Sequence, residues 1–149
     1  KDLGEAIRLD PKAARIRLTR ARILLRADRN GEAMDDFNAA IAADNKDAQI
    51  YFERGELYLK RMEWDAALAD FDAAIKIEPD SLLFLMRRGD TLVKAGDNPA
   101  ALKDYSAAIA HFPKYAGAYE ARAKLYRVMG QNDLALADEA KIKELKNPR

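Results

Sequence analysis

The hydrophobic residues of this chain fall into short segments that have the three- and four-residue spacing of amphipathic helices. In residues 48–77 the first segment carries Ile50, Tyr51, Leu57 and Tyr58, and the second carries Ala67, Leu68, Phe71, Ala74 and Ile75. Residues 61–63 separate the two segments, and Pro79 closes the second because proline cannot donate a backbone hydrogen bond. The pattern predicts a helix, a short turn and a second helix.

The same pattern recurs along the chain with a period of 34 residues, marked by Asp2, Asp36, Asp70, Asp104 and Asp138. The sequence DFDAAIKIEP at 70–79 has counterparts at 2–11, 36–45 and 104–113, and a looser copy at 138–147. A fixed period of roughly 20–50 residues is the signature of stacked structural repeats. We therefore predict repeats in which the stacking of neighbours creates the core.

The alanine at position 20 of each repeat sets the frame. We predict that residues 1–13 are the second helix of a truncated preceding repeat, and that four repeats span 14–47, 48–81, 82–115 and 116–149 as one continuous domain. First helices are expected near 14–27, 48–61, 82–95 and 116–129, and second helices near 2–9, 31–43, 65–77, 99–111 and 133–146. Asn30, Asn98 and Asn132 stand at expected starts of second helices, where an asparagine side chain can cap free N–H groups.

Small residues at fixed positions indicate close packing of the two helices of each repeat. Position 8 holds Ala21, Gly55, Gly89 and Ala123, and position 20 holds Ala33, Ala67, Ala101 and Ala135. Small side chains at facing positions let two helices approach closely, and the aromatic residues at position 24 (Phe37, Phe71 and Tyr105) are expected to enter the space of the next repeat.

The chain resembles the tetratricopeptide repeat family over all four repeats. The resemblance is carried by the small residues at position 8, Tyr or Leu at 11, Ala at 20, an aromatic at 24, Ala at 27 and Pro at 32. It implies an all-α fold, a right-handed α-solenoid of helix-turn-helix repeats. Asn45, Arg17 and Glu139 depart from the family pattern. Glu139 replaces the aromatic at position 24, so the final helix is expected to act as a cap.

A charged residue of each sign also recurs. Position 7 is arginine in every repeat (Arg20, Arg54, Arg88 and Arg122), and position 23 is aspartate (Asp36, Asp70, Asp104 and Asp138). We call these eight residues the Arg–Asp ladder. An unpaired guanidinium beside a packed face is costly, so we expect each arginine to bond an aspartate of a neighbouring second helix in two-point geometry. The alternative is a row of arginines that awaits phosphate or carboxylate ligands.

The composition argues against catalysis and against a bound cofactor. The chain has no cysteine and a single histidine, His111, so no metal site is expected. The few hydroxyl residues make no recognisable arrangement with that histidine, and no glycine-rich phosphate loop is present, so we expect no enzyme activity. No apolar run approaches the length of a membrane span. The chain starts at Lys1 without a signal-peptide pattern, which indicates a fragment and leaves the compartment open, with the cytoplasm a weak expectation.

In the tetratricopeptide family the first helices line a concave groove. By resemblance, the groove positions here are Arg15, Leu18, Arg22, Arg26, Gln49, Phe52, Glu56, Lys60, Leu83, Met86, Asp90, Lys94, Glu120, Lys124 and Arg127. We call this set the predicted groove. Leu18, Phe52, Leu83 and Met86 are apolar at positions expected to face solvent, which favours contact with an extended or helical segment of another protein. The sequence thus predicts that Phe52 and Met86 can be changed to Glu with little loss of stability.

Two other functions stay open. The arginine-rich stretch 15–29 could neutralise phosphates of a nucleic acid, although no aromatic residues are interleaved with it. The repeats could instead act as a spacer or self-association module of a larger protein.

Family members that hold acidic chaperone tails use Lys and Asn in one repeat, Asn in the next, and Lys and Arg in the third. Those positions hold Leu18, Arg22, Glu53, Leu83 and Arg87, of which only Arg87 agrees, so that activity is not expected.

Overall fold

The computed structural model describes residues 11–147, which contain eight α-helices and no strand. The helices are α1 (Pro11–Arg26), α2 (Asn30–Ala43), α3 (Ala48–Lys60), α4 (Trp64–Ile77), α5 (Leu82–Ala95), α6 (Asn98–His111), α7 (Ala116–Val128) and α8 (Asn132–Lys146). The helix expected near 2–9 lies outside the described residues. Helix α1 begins at Pro11 rather than near residue 14, because proline is well tolerated in the first helical turn.

The described chain divides into two compact units, residues 11–79 and 80–147. The first unit contains the helix pairs α1/α2 and α3/α4, and the second contains α5/α6 and α7/α8. Within each unit, helices that follow one another in sequence pack together, as the repeated helix-turn-helix pattern predicts.

The helix starts differ in detail from the expectation that asparagines cap them. Asn30, Asn98 and Asn132 are the first helical residues rather than caps. The capping position before α6 is Asp97, whose carboxylate accepts a hydrogen bond from the Ala100 N–H at 3.1 Å. Asp47 before α3 and Ser81 before α5 cap in the same way. The asparagine expectation was therefore wrong by one residue, which is within the usual uncertainty of helix boundaries.

The turn inside each helix pair contains one residue with a positive φ angle. These residues are Asp28 (φ 56°), Met62 (φ 60°), Gly96 (φ 87°) and Gly130 (φ 74°), and they are spaced by the 34-residue period. Glycine adopts this left-handed conformation without steric cost, whereas Asp28 and Met62 carry a Cβ that disfavours it. The same turn geometry is therefore kept in all four described pairs even where the local residue opposes it.

The core of each unit is built from small residues of one helix against large residues of the next. In the first unit Ala33, Phe37, Ala40, Ile50 and Leu57 are buried in one cluster. In the second unit Ala101, Tyr105 and Leu125 are buried, with Met86 and Leu92 packed against them. None of the described helices is both long and apolar enough to cross a membrane.

Glycines at position 8 allow the closest approach between paired helices. A Cβ added at Gly55 would lie 2.7 Å from Cε1 of Phe71, and one added at Gly89 would lie 2.6 Å from Cε1 of Tyr105. These distances are shorter than van der Waals contact, so the aromatic ring at position 24 occupies the space that a side chain would need.

Candidate partner-binding groove

The Arg–Asp ladder forms a set of two-point ion pairs. In each pair the arginine Nε and Nη2 atoms donate to the two carboxylate oxygens of the aspartate 16 residues later. The distances are 2.9 and 2.7 Å for Arg54 with Asp70, and 2.9 and 2.8 Å for Arg122 with Asp138. The aspartates are buried, and each ion pair joins the two helices of one pair.

The ladder arginines Arg54 and Arg122 also contact the preceding helix pair. Arg54 Nη1 donates to Asn38 Oδ1 at 2.8 Å, and Arg122 Nη1 donates to Ser106 Oγ at 3.0 Å. The hydrogen bond to Asp70 raises the pKa of Arg54, so its positive charge is permanent. These guanidinium groups are committed to protein partners, which argues against a row of arginines that awaits an anionic ligand.

The predicted groove residues of the first unit divide into exposed and buried sets. Arg15, Arg22, Arg26 and Lys60 are exposed, and Gln49 and Glu56 are half-buried. Leu18 and Phe52 are buried. The expectation that these two apolar residues face solvent was therefore wrong.

Phe52 is buried because it packs on the aromatic residue at position 24 of its own helix pair. Its ring centroid lies 5.6 Å from that of Phe71, and only 7% of Phe52 is exposed. The absence of a side chain at Gly55 lets the Phe71 ring come close to α3. Gly55 and Phe71 in the sequence already indicated close packing between the two helices, but the groove residues were assigned by family position alone.

The predicted groove residues of the second unit include four that line one cavity. Leu83, Lys94, Lys124 and Arg127 are exposed, and Met86, Asp90 and Glu120 are half-buried. A cavity of about 390 Å³ is lined by Met86, Asp90 and Val93 of α5, Tyr105 of α6, and Gly117, Glu120, Ala121, Lys124, Leu125 and Val128 of α7. We call it the second-unit cavity. Leu83, Lys94 and Arg127 do not line it.

Many charges along the predicted groove are paired within the protein. Arg22 Nε donates to Glu53 Oε2 at 2.9 Å, and Lys60 Nζ donates to Asp28 Oδ1 at 2.8 Å. In the second unit Lys146 Nζ donates to Glu120 Oε1 at 2.9 Å and lowers the pKa of Glu120. Arg127 Nε donates to Glu139 Oε1 at 2.8 Å. Asp90 accepts a hydrogen bond of 2.8 Å from the Tyr105 hydroxyl.

Tyr105 is expected to make the protein less stable at high pH. Burial, and next the hydrogen bond to Asp90, raise the pKa of Tyr105 above its ordinary value of 10.0. Because the folded protein holds the phenol proton more tightly, this stabilisation is fully present below the unfolded pKa and is lost as pH rises toward the folded pKa. Urea unfolding at about pH 8 and about pH 11 measures how much the free energy of unfolding falls between the two pH values. This decrease should be smaller for Tyr105→Phe than for wild type. Equal losses would contradict a role for this phenol.

The arginine-rich stretch 15–29 is largely neutralised by nearby carboxylates. Arg20 bonds Asp36, Arg17 lies 3.6 Å from the same carboxylate, Arg22 bonds Glu53, and Arg29 bonds Glu32. Among the described residues, Arg15 and Arg26 make no salt bridge. Four of the six arginines are thus paired with an acidic side chain, which weakens the case for nucleic-acid binding.

The part of the chain that the structure describes contains no cluster of potential metal ligands. Residues 11–147 contain no group of three His, Asp or Glu side chains that could hold a metal ion. His111 ends helix α6, and its Nε2 atom lies 3.4 Å from Oδ1 of Asp80.

The fold and the repeat pattern can be compared with known proteins. The first matches among solved structures are crystal structures of MamA, one with a TM-score of 0.83 and 20% identity over 92% of this chain and 80% of that chain. The first tetratricopeptide domain of Spaghetti (RPAP3), bound to the HSP90 peptide SRMEEVD, matches with a TM-score of 0.76 and 18% identity over 83% of this chain and 98% of that chain. No curated protein sequence matches the chain.

The sequence profile of the tetratricopeptide repeat matches residues 1–48, 36–82 and 86–147. These ranges cover nearly the whole chain, and the all-helical fold agrees with that of the structural neighbours. The chain belongs to the tetratricopeptide repeat family.

Proposed function

We propose that this protein is a non-catalytic scaffold that holds a segment of a partner protein against the first helices of its second unit, α5 and α7. The observation that carries the proposal is the second-unit cavity, which combines apolar and charged walls at positions of the predicted groove. A cavity of about 390 Å³ is large enough for one or two side chains of a bound segment. The peptide-bound domain of Spaghetti supports a peptide ligand for this fold.

An acidic chaperone tail is not the proposed ligand. Leu18 stands at a position where the family uses a cation to hold such a tail, and its side chain is buried. Glu53 stands at a position where such family members have asparagine, and its carboxylate is bound by Arg22. A carboxylate ligand would meet like charge at Glu53, so the partner is expected to carry other chemistry.

The proposal is tested by selecting binders from a phage library of random dodecapeptides against the full chain. Affinities of the selected peptides for wild type and for Ala121→Trp, which fills the second-unit cavity, are then measured by fluorescence anisotropy. We expect a loss of at least about tenfold with Ala121→Trp, since the bound side chain loses its site. The matched control is Ala110→Trp, an exposed alanine of α6 that does not line the cavity. Failure to select any peptide, or equal affinities for the two variants, would contradict the proposal.

Self-association is a second candidate, favoured by two exposed isoleucines of α1. Ile16 is 62% exposed and Ile23 is 59% exposed. Their counterparts 34 residues later, Ile50 and Leu57, are buried in the cluster that contains Phe37 and Ala40 of α2. Sedimentation velocity of wild type and of Ile16→Asp/Ile23→Asp distinguishes the two functions. A dimer that only the wild type forms would favour self-association over the scaffold.

A further inference from the structure

The second-unit cavity carries two carboxylates on opposite helices. Asp90 is on α5, Glu120 is on α7, and the apolar side chains of Met86, Val93 and Val128 line the space around them. A partner side chain that enters this cavity therefore meets apolar surface, the two carboxylates and the exposed side chain of Lys124. The two carboxylates differ in how far the protein itself neutralises them.

Glu120 is paired with a cation, and Asp90 is not. Lys146 binds Glu120 at 2.9 Å, and in the first unit Arg22 binds Glu53 in the same manner. Within residues 11–147, Asp90 forms no salt bridge with Lys, Arg or His, and its partner is the neutral Tyr105 hydroxyl at 2.8 Å. A half-buried carboxylate without a cation has lost part of its hydration without a compensating charge, so binding of a cation there is favourable.

Tyr105 fixes the Asp90 carboxylate and leaves part of it available. The phenol donates to Oδ1, and a carboxylate has about four acceptor sites, so Oδ2 can accept further hydrogen bonds. The phenol is protonated at neutral pH, which lies well below its ordinary pKa of 10.0, and burial and Asp90 raise the pKa of Tyr105 further. At the same repeat position the first unit has Phe37 and Phe71, and α8 has Glu139, so among the described helix pairs only α5/α6 has a tyrosine hydroxyl there.

We infer that the partner segment carries a lysine or arginine next to an apolar residue, and that Asp90 binds the cationic group while Met86 and Val93 contact the apolar side chain. This inference rests on the proposed function and names the chemistry of the ligand. A hydrogen bond between two ionised groups is short and about twice as strong as a neutral one, so it selects basic over neutral or acidic side chains at this position.

The test compares dodecapeptides selected from the same phage library by wild type and by Asp90→Asn. The variant keeps an oxygen that can accept from Tyr105, so the fold is retained while the negative charge is removed. We expect the wild-type peptides to be enriched in a basic residue beside an apolar one, and Asp90→Asn to bind them at least about tenfold more weakly. Asp133→Asn is the matched control, since Asp133 is exposed on α8 and does not line the cavity.

Tyr105→Phe separates charge from packing. It removes the hydroxyl that positions the Asp90 carboxylate and keeps the ring and the negative charge, so we expect a loss of affinity that is clearly smaller than the loss in Asp90→Asn. An equal loss in Tyr105→Phe and Asp90→Asn would overturn the role of the charge.

The remaining outcomes distinguish the two proposals. Peptides that bind more weakly to Ala121→Trp but show no enrichment in basic residues, or are enriched in acidic ones, would overturn this inference and leave the scaffold function intact. Failure to select any peptide would overturn both.

Discussion

Replacing Phe52 with glutamate is expected to lower the free energy of unfolding by about 4 kcal/mol. The substitution removes a buried ring that packs on Phe71 with a centroid distance of 5.6 Å, and truncation of a buried phenylalanine alone costs about 3–5 kcal/mol. The glutamate would also place a carboxyl group in an apolar site, where it is poorly hydrated. Urea denaturation followed by circular dichroism measures the change.

Leu83→Glu is the matched control for this experiment. Leu83 was assigned to the same predicted groove, but it is 51% exposed and does not line the second-unit cavity. Surface substitutions usually change stability by less than about 0.5 kcal/mol. If Phe52→Glu were as mild as Leu83→Glu, the burial of Phe52 described above would be contradicted.

Replacing Arg54 with methionine is expected to cost about 3 kcal/mol. The methionine keeps an apolar stem but leaves Asp70 buried without its two-point partner, and breaking a buried ion pair costs about 3–5 kcal/mol. We take the lower end of that range because the Arg54 side chain is one-fifth exposed, so solvent screens part of the interaction. Urea denaturation of the single variant gives this cost directly.

The double variant Arg54→Met/Asp70→Leu identifies the cause. If the cost arises from an uncompensated buried charge, removal of both groups should recover part of it, and a double-mutant cycle measures the coupling. Arg29→Met provides the comparison, because the Arg29–Glu32 pair is exposed and is expected to contribute less than about 1 kcal/mol. Equal losses in Arg54→Met and Arg29→Met would show that the ladder adds no more than a surface salt bridge.

The fold could be predicted from the sequence because the same information is repeated. The limits of a single helical segment are ambiguous in the sequence, but the period of 34 residues fixes the order and spacing of successive helices and turns. The sequence predicted that Arg54 bonds an aspartate of a neighbouring second helix, but it did not say which aspartate. In the structure the two-point partner lies 16 residues later in the same helix pair.

The candidate site was harder to predict than the fold. Positions in the predicted groove were assigned by family resemblance. The resemblance gives the position of each residue in the repeat, but it does not tell whether a large side chain packs against the core. Phe52 bends onto Phe71, whereas Leu83 stays exposed. The pairing of Asp90 with Tyr105 depends on a single hydroxyl group that a hydrophobic pattern treats as equivalent to phenylalanine.

The spacing of the ladder also bears on how the chain folds. Each ladder arginine reaches an aspartate 16 residues later, and Arg54 and Arg122 also reach a side chain 16 residues earlier. Closing such short loops costs little chain entropy, and proteins dominated by local contacts fold quickly. Each helix pair can thus acquire its ion pair as soon as its own residues have left the ribosome, before the rest of the protein has been synthesised.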